Sequence, residues 1–129
     1  MTEGQEPQAH GLEKCRVMLI DDDEDIRTVL SEALQDVGYE ICCAASGREA
    51  LTRLRSGYRP ALILLDLMMP IMDGWQFRQE QLENPELAPI PVVVISAVNP
   101  GKALPQGTVL LRKPFDLDVM LAEVERATR

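Results

Sequence analysis

The chain has 129 residues, 46% of them hydrophobic and 26% charged, with a formal net charge of −8. That balance suits one soluble globular domain with a real core, and it argues against non-specific attachment to nucleic acid or to an anionic membrane. No apolar stretch approaches the roughly 20 residues that span a bilayer, and residues 1–14 lack the basic start and apolar centre of a secretory signal.

The expected location is therefore the cytoplasm. The three cysteines, Cys15, Cys42 and Cys43, are an odd number without framework spacing and read as free thiols. Residues 1–14 are polar and aperiodic, and are expected to be a flexible tail before a single domain at 15–129. Val17-Met18-Leu19-Ile20 reads as a strand buried on both faces, and it ends in Asp21-Asp22-Asp23. Ile26, Val29, Leu30, Ala33, Leu34 and Val37 then form one apolar helical stripe that stops at Gly38. A short strand is expected over 39–45, followed by a helix capped by Ser46 and ended by Gly57.

The next strand, Leu62-Ile63-Leu64-Leu65, runs into Asp66, and Pro70 prevents its continuation. Asp73-Gly74 opens a weakly patterned helix to about Leu82. A loop spans 85–91, and Val92-Val93-Val94-Ile95 forms a β-branched strand that ends in Ser96. Residues 97–108 hold Pro100, Gly101, Pro105 and Gly107, which oppose a regular helix. Val109-Leu110-Leu111 leads to Lys113-Pro114, and Asp116 can cap a last helix that buries Leu117, Met120, Leu121 and Val124. Five βα units, one with a damaged helix, imply an α/β fold: a parallel sheet with helices on both faces.

In a parallel sheet the carboxyl ends of all strands share one edge. That edge would gather Asp21, Asp22, Asp66, Ser96 and Lys113. Each has an ordinary explanation alone: an acidic run favours a helix N-terminus, an Asp or Ser after a strand caps or turns, and a Lys is solvated. Their coincidence at one rim favours chemistry. Clustered carboxylates repel unless a cation joins them, and a hard divalent ion such as Mg2+ suits oxygen ligands beside a phosphate. With Lys113 as a second positive charge, the set fits phosphoryl transfer to a carboxylate. Asp66 is the expected nucleophile because its strand lies between the acidic pair and the Ser96–Lys113 side.

Four segments in order, Leu19-Ile20-Asp21-Asp22-Asp23, Leu65-Asp66-Leu67-Met68-Met69-Pro70-Ile71-Met72-Asp73-Gly74, Val94-Ile95-Ser96-Ala97 and Lys113-Pro114-Phe115, carry a resemblance. From about Arg16 to Thr128 the chain resembles the receiver domains of bacterial two-component response regulators. The resemblance implies a flavodoxin-like sheet of order 2-1-3-4-5. It also implies that Asp66 takes a phosphoryl group from a sensor histidine kinase or histidine phosphotransfer protein. Asp22, Asp66 and the Met68 carbonyl would bind Mg2+ directly, Asp21 through water, and Asp23 would stand aside. Ser96 would turn its hydroxyl to the phosphoryl group, Ala97 would leave it room, Lys113 would pair with Asp66 or its phosphate, and the Lys113-Pro114 bond would be cis. Phosphorylation would then bias a surface read by an unknown downstream protein, or the phosphate would pass onward in a relay. No output domain is expected, direct nucleic-acid or membrane contact is not expected, and the chain is not expected to be an enzyme beyond its own phosphorylation and dephosphorylation.

The chain departs from the family in places. Only sixteen residues separate Ser96 from Lys113, so the fourth helix is expected to be shortened or lost. Leu110 stands where the family usually has a coupled Tyr or Phe, so output through the common face is not expected. Met68 and Val98, at positions that tune hydrolysis, are both apolar, which implies slow self-dephosphorylation. Two rival readings remain: a degenerate receiver that only binds protein, and an aspartate-nucleophile phosphatase suggested by the Asp21-x-Asp23 spacing.

Overall fold

A continuous apolar run makes a stable strand only where both faces of the sheet are covered. The computed structural model describes residues 16–67, 69, 73–96 and 108–128. In chain order its elements are β1 (Arg16–Ile20), α1 (Glu24–Asp36), β2 (Glu40–Ala44), α2 (Gly47–Arg55), β3 (Leu62–Asp66), α3 (Gly74–Glu83), β4 (Val92–Ser96), β5 (Val109–Arg112) and α4 (Leu117–Thr128). The five strands form one parallel sheet in the order β2-β1-β3-β4-β5, as expected. The expected tail at 1–14 and the expected loss of a helix between β4 and β5 lie outside the described residues.

Alternation within each strand feeds two separate cores. On one face Met18, Ile20, Ile63, Leu65, Val92 and Val94 meet Ala50, Leu51 and Leu54 of α2 and Phe77 of α3. On the other, Val17, Leu19, Leu62, Leu64, Val93 and Ile95 meet Leu30 and Leu34 of α1 and Met120 and Val124 of α4. Cys42 packs with the first core and Cys43 with the second, as adjacent residues on a strand must. Both are free thiols. Each fully buried aliphatic side chain is worth about 1.5–3 kcal/mol, so covering both faces fixes the sheet and the height at which its strands stop.

The local signals explain where the helices begin and end. Asp23 Oδ1 accepts from the N–H groups of Asp25 (2.9 Å) and Ile26 (3.3 Å), which caps α1. Ser46 caps α2, and Asp73 and Gln76 form a reciprocal capping box at α3. Helices α1 and α2 both stop at a left-handed glycine, Gly38 (φ 105°) and Gly57 (φ 114°). There the N–H of Tyr39 reaches the Leu34 carbonyl and that of Tyr58 reaches the Arg53 carbonyl, closing both ends in the same way.

The apolar stripe of α1 is narrower than its sequence implies. Leu30 and Leu34 are buried, whereas Val29 and Val37 are 51% and 57% exposed. Val37 lies past the last full turn as the C-cap, and Val29 sits on the flank of the helix, lining a cleft with Phe115 and Leu117. In α3 the buried face is Gly74, Phe77, Arg78 and Gln81, two of them polar. Gln81 Nε2 donates to the carbonyls of Leu87 (2.9 Å) and Ile90 (3.0 Å), and Arg78 Nη1 donates to Gln81 Oε1 at 2.8 Å. Burial holds the Arg78 guanidinium below its usual pKa.

Gly74 is where α3 meets the end of β3. A Cβ there would lie 2.7 Å from Leu67 Cα and 2.8 Å from the Asp66 carbonyl oxygen, both backbone atoms. Gly74→Ala is therefore expected to destabilise the protein by about 1–3 kcal/mol, read from urea unfolding, through overpacking that the backbone must absorb. An unchanged midpoint would mean that the contact is not enforced.

Candidate functional site

The carboxyl ends of β1, β3, β4 and β5 lie side by side on one rim. In register, Ile20 pairs with Leu65, Asp66 with Ile95, and Ser96 with Arg112, so the residues that follow or close these strands are brought together by pairing alone. Asp21 adds one more rung, its N–H donating to the Ala44 carbonyl at 3.2 Å. The Lys113 N–H donates to the Ser96 carbonyl at 2.7 Å, which ties the start of the next turn to the end of β4. The Lys113-Pro114 bond is cis, as expected.

Asp21, Asp22 and Asp66 each present a carboxylate oxygen within 4.8 Å of the others. Asp21 is fully buried and Asp66 is 5% exposed, while Asp22 is open to solvent. Asp21 Oδ1 accepts from the Asp23 N–H at 2.9 Å. Its Oδ2 is buried with no hydrogen-bond partner among the described residues, and has the Lys113 ammonium at 3.7 Å. An orphaned buried carboxylate oxygen beside two further carboxylates is an oxygen-rich, negative cavity that fits a hard divalent cation. The site could hold a metal ion on Asp21, Asp22 and Asp66, with Mg2+ the natural candidate beside phosphate.

Ser96 is fully buried at the end of β4, on the same rim. Lys113, whose side chain is 23% exposed, reaches from the β5 end toward Asp21. The ion pair of Lys113 with Asp21 was not among the expectations, which paired Lys113 with Asp66 or its phosphate. The Asp23 side chain caps α1, accepting from the N–H groups of Asp25 and Ile26. The carbonyl of Met68 and the positions of Ala97 and Val98 lie outside the described residues. Leu110 is partly buried against the first core. Sequence reasoning missed Arg27, whose Nη1 donates to the Asp21 carbonyl at 2.6 Å. No local pattern announced it: Arg27 lies near the start of α1, and only the fold shows that its side chain turns back to the Asp21 carbonyl.

The rim is flanked by a cleft of about 730 Å3 between α1 and α4, lined by Ile26, Val29, Leu30, Phe115 and Leu117 with Lys113 and Asp25 at its border. It is mostly apolar and opens beside the acidic cluster.

Comparison with known proteins bears on this rim. The family model of the response regulator receiver domain matches residues 17–125. The chain is 34% identical over 115 residues to the response regulator receiver protein CpdR of Brucella abortus, covering 86% of this chain and 94% of that one. It is 35% identical over 86 residues to the probable transcriptional regulator ycf27 of Porphyra purpurea, spanning 67% of this chain and only 34% of that protein's length. Among solved structures, the response regulator protein TrrA of Thermotoga maritima, in complex with Mg2+ and BeF, superposes with a TM-score of 0.77 at 28% identity, covering 87% of this chain and 97% of that one.

A metal that binds this cluster only in the folded state stabilises it by mass action. With Mg2+ at 100 times its dissociation constant the gain should be about 2.7 kcal/mol in chemical unfolding. Asp22→Asn removes one of three repelling charges, so it should raise stability without metal and abolish most of the gain from Mg2+. Equal Mg2+ stabilisation of both proteins would place the ion elsewhere.

Proposed function

We propose, from the premise that this chain belongs to the response regulator receiver domain family, that it is a phosphoacceptor switch of a two-component system and that Asp66 carries the phosphoryl group. The observation that supports this most directly is the convergence of three carboxylates within 4.8 Å on a rim whose buried Asp21 has Lys113 at 3.7 Å.

In this reading an Asp66 carboxylate oxygen attacks the phosphorus of a phosphohistidine. The new O–P bond forms as the N–P bond breaks, and the imidazole of the donor leaves with the electron pair. Asp22, Asp66 and, by the resemblance, the Met68 carbonyl would hold Mg2+ directly and Asp21 through water, and the ion would supply positive charge for the phosphoryl oxygens. The Lys113 ammonium is close enough to the acidic cluster to shift from Asp21 toward the incoming phosphate, and the Ser96 hydroxyl lies on the same rim to donate to a phosphoryl oxygen. Burial of Asp66 limits competing water.

The donor is a sensor histidine kinase or a histidine phosphotransfer protein. Such a donor must bring its imidazole to the rim, so its contact surface has to surround Lys113. The apolar cleft lined by Ile26, Val29, Phe115 and Leu117 is continuous with Lys113 and suits an apolar helix face of that donor. Phosphorylation adds a charge of about −1.5 to −2 and biases a surface read by a downstream protein, in the cytoplasm. With Leu110 in place of a ring, that surface is other than the one the family commonly uses. The chain turns over no external substrate.

Incubation with acetyl phosphate and Mg2+, followed by intact-mass analysis, should add one phosphoryl group to the protein and none to Asp66→Asn. Labelling that survives Asp66→Asn would contradict the assignment. Steady hydrolysis of a phosphate ester would favour the phosphatase reading, and a failure of any labelling the degenerate one. Because Met68 and Val98 are apolar and cannot orient a water molecule, the label should persist once the donor is removed. Its loss within seconds would overturn that expectation.

A further inference from the structure

The β1–α1 turn carries two of the three acidic residues of the rim, so what holds this turn matters as much as the carboxylates themselves. Its main chain is fixed from three directions. The Asp21 N–H donates to the Ala44 carbonyl, the Asp23 N–H donates to Asp21 Oδ1 at 2.9 Å, and the Asp21 carbonyl accepts from Arg27 Nη1 at 2.6 Å. The first two are backbone pairing and a tight local turn. The third is a half-buried guanidinium reaching back six residues from α1.

A carboxylate after β2 lies within electrostatic reach of Arg27. Glu49, at the start of α2, accepts from the Ala45 N–H at 2.9 Å and from Arg53 Nη2 at 3.0 Å. The hydrogen bond from Ala45, then Arg53 and Arg27, hold the Glu49 carboxyl below its usual range against the opposing effect of burial. Arg27 thus contributes the smallest of these effects on Glu49, while its own hydrogen bond goes to the Asp21 carbonyl. A planar guanidinium holds a main-chain carbonyl in a fixed direction in a way that a lysine ammonium does not.

We propose that Arg27 is a positioning residue for the divalent cation: by holding the Asp21 carbonyl it fixes the turn that presents the Asp21 and Asp22 carboxylates to the metal. This rests on the phosphoacceptor reading given above. Outer groups that orient metal ligands commonly matter about 10- to 100-fold for metal affinity, and Arg27 acts on the main chain of the ligand-bearing turn, which places it at the lower end. Charge alone makes the opposite prediction. A guanidinium near the cluster repels a cation, so its removal would tighten Mg2+ binding.

The test is a Mg2+ titration of the full chain by calorimetry, for wild type, Arg27→Ala and Arg27→Lys, with the unfolding midpoint measured without metal. Arg27→Ala should bind Mg2+ about tenfold more weakly, Arg27→Lys should fall between it and wild type, and labelling by acetyl phosphate at saturating Mg2+ should stay near wild type for both. Equal or tighter binding by Arg27→Ala overturns the proposal, as does a labelling deficit that saturating Mg2+ does not remove. Should Arg27→Ala fail to fold, Arg27→Lys decides. It keeps the charge, so wild-type affinity would overturn the proposal and weaker affinity would support it. A wild-type protein that does not bind Mg2+ would defeat the phosphoacceptor reading together with this one. Normal wild-type binding that Arg27 does not affect would defeat this one alone.

Discussion

Asp21 is fully buried, and one of its carboxylate oxygens has no hydrogen bond among the described residues, only the Lys113 ammonium at 3.7 Å. Asp22 and Asp66 each bring a carboxylate oxygen within 4.8 Å of it, so three negative groups share the rim. Desolvation and mutual repulsion both oppose such an arrangement. The rim is thus held in a state that a divalent cation and a phosphoryl group together would balance. That unbalanced charge is the constraint on which the functional account depends.

The fold exists, in this view, to bring the deficit about. Two apolar cores, one on each side of the sheet, fix all five strands at the same height. Parallel pairing then turns residues distant in sequence into neighbours at one edge. The flanking turns are tight: Gly74 lies against the Asp66 carbonyl and Leu67, and Asp23 is committed to the cap of α1.

Much of this was legible in the sequence because it rests on short-range rules. Strands ending in Asp, Ser or Lys, glycines past helix ends, and Asp or Ser at helix starts each announce themselves within a few residues. The order β2-β1-β3-β4-β5 came from the family resemblance rather than from periodicity. What was not legible involves polar groups that act at a distance. The buried face of α3 follows helical spacing at 74, 77, 78 and 81, but Arg78 and Gln81 disguise it, since Gln81 is satisfied by the carbonyls of Leu87 and Ile90 and Arg78 by Gln81. Val29 and Val37 obey the apolar spacing of α1 and yet stay exposed, because spacing gives a direction and not the width of the neighbouring helix. Arg27 and the Lys113–Asp21 pair belong to the same class: a side chain's partner is set by three-dimensional proximity that no local pattern encodes.

The central claim is that a metal and a phosphoryl group meet at Asp66. The most direct measurement is a crystal structure of the chain grown with Mg2+ and beryllofluoride. The account predicts the beryllofluoride on an Asp66 carboxylate oxygen, the Mg2+ in contact with Asp22 and Asp66, and Lys113 turned toward the fluorides. Beryllofluoride bound to another residue, or Mg2+ away from Asp66, would contradict it.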